Sequence, residues 1–398
     1  MHIGIIGGGL IGIFSAYFLN RSGFKITIFD EEAEIPSASY GNAGMICPSH
    51  FIPIAAPGII KQSVKWMFDS RSPLLFRPYA DVDFIKWCLS FYFNSSKQNV
   101  NQNTGLMSGL LEWSKKIYLE LEANNIIPAI QKKGIIMYTN TRHGLDEEID
   151  LSKRANRLGI ETIILTNKDI ADLNPGVEFN GTGGVHYTGD MHTDPTLLMY
   201  ALKSYLKDNG VRFINEKAER FSSVKDKIKW IKTKTNDFEV DGMVICTGIA
   251  STEIAGLFGE NLFIQGGKGY NVTIANAAPQ LVTPMILVEG RVALTPMGSS
   301  VRIGGTMEIG KPNSTVNKIR LDGILTNTEK YLPDYKKSDL EKIKPWYGYR
   351  PISTNGMPVI KRLDLYKNVF INTGHGMLGL SLAPASGKVL TQIVTNTI

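Results

Sequence analysis

The chain has 398 residues, 43% of them hydrophobic and 20% charged, with 43 Lys and Arg against 37 Asp and Glu. That length is too great for one compact core and suits two domains, while the lack of 18 uninterrupted apolar residues argues against a membrane-spanning helix. The formal charge of +6 comes from scattered lysines, which reads as solvated surface rather than a nucleic-acid patch, and Cys47, Cys88 and Cys246 have neither disulfide nor metal spacing, as expected in a reducing compartment.

The first element is a short apolar strand, His2–Ile6, with no basic leader before it, so a cytoplasmic location is expected. Gly7, Gly9 and Gly12 follow in G-x-G-x-x-G spacing. Leu10 and Ile11 open a helix whose apolar run spans 13–19, Gly23 ends it, and a second strand, Lys25–Phe29, closes on Asp30 with Glu31 beside it. Each part has a physical reason in a dinucleotide site. Gly7 allows the tight turn, Gly9 lets backbone approach a pyrophosphate, and Gly12 lets helix pack on strand. The helix N-terminus offers free N–H groups to phosphate, and Asp30 offers a ribose acceptor. Alone, this unit suits NAD as well as FAD.

A loop-rich stretch follows, with Ser39-Tyr40-Gly41-Asn42-Ala43-Gly44 and Ala56-Pro57-Gly58. Residues 83–93 are rich in aromatic and aliphatic side chains, 107–121 has helical spacing, and 134–139 reads as a strand. Helices are expected over 146–158 and 167–173, the second with Asn167 as N-cap. Asp194-Pro195 opens another, as cap and first-turn proline, which stops at Asn209-Gly210. Strands are expected at 211–214, 228–233 and 240–246, the last running into Thr247-Gly248, and the chain is β-rich from 266 to 306. A helical pattern covers 316–331. Near the end a strand at 368–372 turns through Thr373-Gly374-His375-Gly376 into a helix over 378–394. The elements imply an α/β (α+β two-domain) fold. A discontinuous Rossmann-like dinucleotide-binding domain (1–78, 186–262, 340–398), the FAD-binding domain if the cofactor is a flavin, carries an inserted mixed antiparallel-β substrate domain (79–185, 263–339).

Two further signals carry chemistry. The Thr-Gly-His-Gly turn presents a second helix N-terminus, suited to the electron-rich N1 and O2 of a reduced flavin. In Trp346-Tyr347-Gly348-Tyr349-Arg350-Pro351, the Arg350 guanidinium offers a planar fork for a carboxylate. Tyr270, Tyr349 and His50 are candidate substrate contacts; His186 and His192 are further histidines without a fixed role. No local motif supports serine, cysteine or paired-carboxylate catalysis, and no metal is expected.

The stretches GIIGGGLIG, YGNAGMICPSHFIPIAAPG, GGKGYNVTI, RIGGTMEI, WYGYRP and INTGHGMLGLSLAPASGK span almost the whole chain. In that order they resemble the D-amino-acid-oxidase-like superfamily of FAD-dependent oxidoreductases, and within it bacterial D-amino-acid dehydrogenases and their D-hydroxyproline-oxidising relatives. The resemblance implies FAD, with Arg350 on the substrate carboxylate. It sets Ser39, Asn42, Ala43, Gly44 and Met45 along the flavin ring, and Gly374, His375, Gly376, Met377, Leu378 and Gly379 at its pyrimidine side. Val224, Thr247 and Gly248 complete the expected cofactor contacts. FAD is expected to be non-covalent, since no cysteine adjoins the C-terminal turn or the Arg350 stretch. Asp30 stands where a glutamate is common, and the 185–192 segment departs from the dehydrogenase pattern, leaving the exact substrate open.

The expected reaction is oxidative deamination of a D-amino acid: hydride transfer from Cα to flavin N5, giving an imino acid and then a 2-oxo acid. The alternative is a cyclic or secondary amino acid (4-hydroxy-D-proline, D-proline, sarcosine) or glycine. An NAD-linked dehydrogenase and a nucleotide-binding subunit without its own activity are the competing classes. The acceptor (quinone, oxygen or a carrier protein) stays open. Leu74-Leu75-Phe76 and the 83–93 stretch are candidates for peripheral membrane contact on the inner face of the membrane.

Overall fold

The computed structural model describes residues 1–31, 37–53 and 72–398; Ala56-Pro57-Gly58 lies outside them. Strand His2–Ile6 leads through Gly7 into helix Leu10–Arg21, and Lys25–Phe29 returns parallel to the first strand. The glycines are required by close approach. Gly7 has φ +101°, and a Cβ on Gly12 would lie 1.9 Å from the Gly7 carbonyl oxygen.

These elements belong to a six-stranded sheet ordered Val359–Arg362, Val369–Thr373, Gly242–Ile245, His2–Ile6, Lys25–Phe29, Arg212–Ile214. It is parallel except at the Val359–Arg362 edge. Its strands come from the start, middle and end of the chain, as a discontinuous nucleotide-binding unit requires. Helices Leu10–Arg21, Pro195–Asp208 and Gly379–Thr395 pack on one face through Phe14, Leu198 and Leu390. Helix Lys97–Ala123, expected with the substrate unit, joins this same core: Tyr118 is buried there and donates to the Leu380 carbonyl at 2.8 Å. The other face is covered by a three-stranded antiparallel sheet, Arg220–Val224, Lys227–Lys232 and Asp237–Glu239.

The second sheet has nine strands. Its path runs Trp346–Ser353, Ile264–Ile274, Ser300–Ile309, Val292–Met297, Met285–Leu287, Ile135–Thr139, Gly183–Tyr187, Thr162–Leu165, with Leu74–Phe76 beside Ser300–Ile309. Two segments expected in the nucleotide-binding unit, 74–76 and 346–353, therefore pair in this sheet. Helix Lys318–Tyr331 closes one face through Ile324, Leu325 and Tyr331. Helix Asn167–Leu173 is capped by Thr166, not Asn167. Thr166 has extended backbone angles and forms a reciprocal cap with Asp169, whereas the Asn167 side chain accepts from the Tyr138 hydroxyl at 2.8 Å.

One irregularity in this sheet bears on the site. Between Ile264–Ile274 and Ser300–Ile309 the register shifts from Lys268↔Glu308 to Tyr270↔Gly305. The extra residue bulges the second strand at Thr306, which adopts φ +66°, a strained conformation for a β-branched residue.

Candidate functional site

Both sheets contribute to one cavity of about 1500 Å³. At one end its wall is the glycine turn: Gly7, Gly9, Leu10, Ile11 and Asp30 line it. Gly9 is the N-cap of the first helix and brings no side-chain cap, while the Leu10 N–H donates to Ser39 Oγ at 2.9 Å. Asp30 lies against Gly8, whose backbone N–H bonds it, and burial raises its pKa. Thr247 and Gly248, at the end of Gly242–Ile245, continue the wall.

Ser39, Asn42, Ala43 and Met45 carry the wall across to the second sheet. Their loop is clamped from that sheet in a way the sequence reading missed. Arg302 Nη1 donates to the carbonyls of Tyr40 (2.9 Å) and Asn42 (2.6 Å), and Asn271 Nδ2 donates to that of Gly41 (2.9 Å). Gly41 lies against the Trp346 indole, where a Cβ would come within 2.3 Å.

The C-terminal turn supplies His375, Gly376, Met377, Leu378 and Gly379 to the wall. His375 Nε2 pairs with Ser386 Oγ at 2.8 Å, and burial pushes its pKa down to about 3, so the ring is neutral. Its Nδ1, and Oδ1 of the neighbouring Asn372, are buried without a partner among the described residues. Unpaired buried polar atoms on a cavity wall fit the polar edge of a bound group. With the uncapped helix and the close-packed glycines at the other end, the cavity suits FAD.

Five expected cofactor residues are not on the wall. Gly12 serves the strand–helix contact behind it, and Gly44 (φ +77°) packs on the Thr193 carbonyl. Gly374 (φ +79°) turns against Val359, and Glu31 is exposed. Val224 is 61% exposed at the tip of a hairpin in the three-stranded surface sheet, because Arg220–Val224 pairs with Lys227–Lys232 instead of extending toward the cavity.

Arg350 lines the cavity from Trp346–Ser353. It lies deep in the molecule yet half-open to the cavity, and burial draws its pKa down to about 10. Its Nη1 donates to the carbonyl of the bulged Thr306 at 2.9 Å, and it makes no ion pair among the described residues. The guanidinium packs on Gly269, where a Cβ would lie 2.1 Å from Nη1. A cation with most of its donors unmet is suited to a carboxylate.

Tyr270 and Tyr349 also border the cavity, but both hydroxyls are engaged elsewhere. Tyr270 donates to Glu308 at 2.9 Å and accepts from the Asn317 N–H, while Tyr349 exchanges hydrogen bonds with the Asn313 backbone at 2.6 and 2.7 Å. The pairing Gly267↔Arg350 and Lys268↔Tyr349 sets Tyr349 on the opposite face from Arg350.

His50 does reach the cavity. It is joined by Asp190, remote in sequence and 1% exposed, through Ser49, so that Cys47, His50 and Asp190 bring their donor atoms within 4.8 Å of one another. His186 Nε2 bonds the Lys133 carbonyl and His192 is buried; neither lines the cavity. All three cysteines border it, which corrects the expectation drawn from sequence distance. The Cys47 N–H donates to Ser381 Oγ, just past the C-terminal turn. Burial pushes its thiol well above the ordinary range and that of Cys246 to about 12, so both are protonated at neutral pH.

The comparisons with known proteins agree with this geometry. A model of the DAO family, FAD-dependent oxidoreductases, matches residues 2–393. A D-amino acid dehydrogenase of Azorhizobium caulinodans is 29% identical over 406 residues, covering 99% of this chain and 96% of its own. One of Neisseria meningitidis is 28% identical over 404 residues, with the same coverages. Among solved structures, glycine oxidase from Bacillus cereus superposes with a TM-score of 0.76 at 20% identity, covering 100% of this chain and 95% of that one. The FAD-bound L-α-glycerophosphate oxidase of Mycoplasma pneumoniae gives 0.74 at 18% identity, covering 99% and 94%.

Proposed function

The chain belongs to the DAO family of FAD-dependent oxidoreductases, and we propose that within it the protein oxidises the Cα–N bond of a D-amino acid. The observation that carries this reading is Arg350, a guanidinium on the cavity wall with no ionic partner among the described residues. The names of the relatives at 28–29% identity support the D-amino acid. FAD, when bound, supplies the two-electron acceptor for the Cα hydride. Arg350 holds the substrate carboxylate and thereby fixes where Cα stands, which is the protein's main contribution to rate. Trp87, Phe91 and Met307, on the apolar part of the wall, shed water from the substrate side chain. The product is an imino acid, which water hydrolyses to a 2-oxo acid and ammonia. Burial raises the pKa of all three thiols on the wall, which supports a flavin held without a covalent bond.

For the acceptor, the reading is a quinone reached at the inner face of the membrane. Among the described residues no helix is long and apolar enough to cross a membrane. Helix Val82–Asn94, however, exposes Val82 (67%), Ile85 (53%), Leu89 (56%), Tyr92 (61%) and Phe93 (70%) along one side. Its other side turns Trp87 and Phe91 to the cavity. Leu74 and Phe76, the other candidates for membrane contact, instead pack half-buried against that helix.

The test is anaerobic bleaching of the bound flavin by a panel of D- and L-amino acids, cyclic ones included. Bleaching by D-enantiomers is expected. Bleaching by L-enantiomers alone, or by none of the panel, refutes the assignment.

A further inference from the structure

We propose that Asp190, Ser49 and His50 form a hydrogen-bond switch that decides whether the cavity wall accepts or repels an amino group. The inference rests on the amino-acid reading above. Ser49 donates twice to Asp190, through its N–H to Oδ1 at 3.0 Å and through its hydroxyl to Oδ2 at 2.5 Å. With its hydrogen so engaged, Ser49 Oγ offers only lone pairs to His50 Nδ1, 3.1 Å away. Nδ1 must then carry the imidazole hydrogen, which leaves Nε2 as an acceptor for a substrate N–H. That acceptor also favours the positive charge that grows on nitrogen as Cα loses hydride.

Protonation of Asp190 reverses both bonds at Ser49 Oγ and leaves the Ser49 N–H donating to Oδ1. The new Oδ2–H donates to Ser49 Oγ, the Ser49 hydroxyl turns to donate to Nδ1, and the imidazole takes up its Nε2–H tautomer. One proton is gained in total, on Asp190. The ring stays neutral, losing its Nδ1 hydrogen and gaining one at Nε2 by exchange with cavity water. An Nε2–H faces an ammonium or amine N–H donor to donor, and binding weakens.

The surroundings put this exchange in the neutral range. Burial pushes Asp190 up to about 7, with Ser49 opposing. Lys115 and Glu112 face it from helix Lys97–Ala123 with opposite effects, and Cys47 and Tyr187 also face it. Burial, helped by Arg291, holds His50 down to about 4. Above about pH 7 Asp190 is a carboxylate and Nε2 accepts; below it the acid is neutral and Nε2 donates.

The experiment uses the FAD-loaded enzyme and two ligands that cannot be oxidised at Cα: 2-aminoisobutyrate, and isobutyrate, which has the carboxylate without the amine. Binding is read from perturbation of the flavin spectrum. Between pH 8 and pH 6 the Kd of 2-aminoisobutyrate is expected to rise about tenfold while that of isobutyrate stays level, the weaker binding following the falling share of the accepting state. Asp190→Asn, whose amide N–H turns the Ser49 hydroxyl toward His50, should bind 2-aminoisobutyrate weakly at every pH. Ser49→Ala should remove the pH step. Nitrogen-15 NMR of His50 in the wild-type enzyme needs no ligand and should show the hydrogen moving from Nδ1 to Nε2 near pH 7 without ring protonation. A single tautomer from pH 6 to pH 8 overturns the switch, as does an equal pH step for both ligands. Failure of both ligands to bind refutes the carboxylate reading instead, and the NMR result then decides the switch alone.

Discussion

Replacing Arg350 by methionine separates what this residue does for the substrate from what it does for the fold. Methionine keeps the length of the stem and removes the cation. Two charge-assisted hydrogen bonds to a carboxylate contribute roughly 1.5–3 kcal/mol each, so losing the pair should lower kcat/KM by about 10²–10⁴. Stability should move the other way or not at all. Burial draws the guanidinium pKa down to about 10, so at neutral pH the fold carries the cost of a cation without an ionic partner among the described residues. Cavity water screens that cost to on the order of 1–2 kcal/mol. Against it stands the bond to the Thr306 carbonyl, worth about 1 kcal/mol. The variant should therefore be between unchanged and about 1 kcal/mol more stable at pH 7. A base whose folded pKa is lowered destabilises where it is charged, so the advantage should shrink above about pH 10. The assay pairs thermal unfolding with anaerobic flavin reduction by the best substrate of the panel. A variant that keeps its flavin, loses more than about 1 kcal/mol of stability and retains kcat/KM within threefold would show Arg350 to be a structural residue and would falsify the clamp.

Three other substitutions test the frame around it. Gly12→Ala would place a Cβ 1.9 Å from the Gly7 carbonyl oxygen, backbone against backbone, so the helix must shift; protein purified without flavin absorbance is expected, and a full FAD complement would refute the close-packing argument. Arg302→Met frees the Tyr40 and Asn42 carbonyls, which should weaken FAD binding about 10- to 100-fold as measured by cofactor titration; an unchanged Kd would mean the loop holds its shape unaided. Leu89→Glu on the exposed side of Val82–Asn94 should abolish sedimentation with anionic lipid vesicles while leaving flavin reduction intact; equal sedimentation of variant and wild type would remove this helix from the membrane reading.

What the sequence disclosed follows the range of the interactions. The glycine turn was legible because strand, turn and helix are contiguous and each glycine answers a contact within a few residues. Arg350 stands out beside its tyrosine and proline, but its carboxylate role comes from the resemblance of the whole stretch and not from those neighbours. The opposite facing of Tyr349 was also available, since adjacent residues of one strand alternate, yet function was assigned to both. Three features had no local signal. Asp190 meets Ser49 across 141 positions, Arg302 meets Tyr40 across 262, and the Thr306 bulge exists only as a register difference between two strands. Val224 failed for a related reason: its hairpin partner, not its own residue type, decides that it faces solvent.

Two cations on neighbouring strands show why composition alone cannot single out a candidate for the substrate carboxylate. Lys268 and Arg350 both sit beside glycines in the same register, Lys268↔Tyr349 and Gly267↔Arg350, but Lys268 is buried whereas Arg350 is half-open to the cavity. Lys268 is fully answered. Its ammonium donates to the Asn313 carbonyl and side chain at 2.9 and 2.8 Å and to the Thr315 carbonyl, and it lies 4.2 Å from the Tyr347 ring centre. Three donors meet three acceptors, which ties the 313–315 loop to the sheet and leaves nothing for a ligand. Arg350 has five N–H donors, and its one hydrogen bond to a described residue goes to a carbonyl turned toward it by a strained bulge. A cation short of acceptors among the described residues is costly for the fold, and under the proposed function the substrate carboxylate relieves that cost. Alternation sets the two fates: on the face shared by Lys268 and Tyr349 the polar groups are answered by the 313–315 loop, and on the other face Arg350 is left open to the cavity.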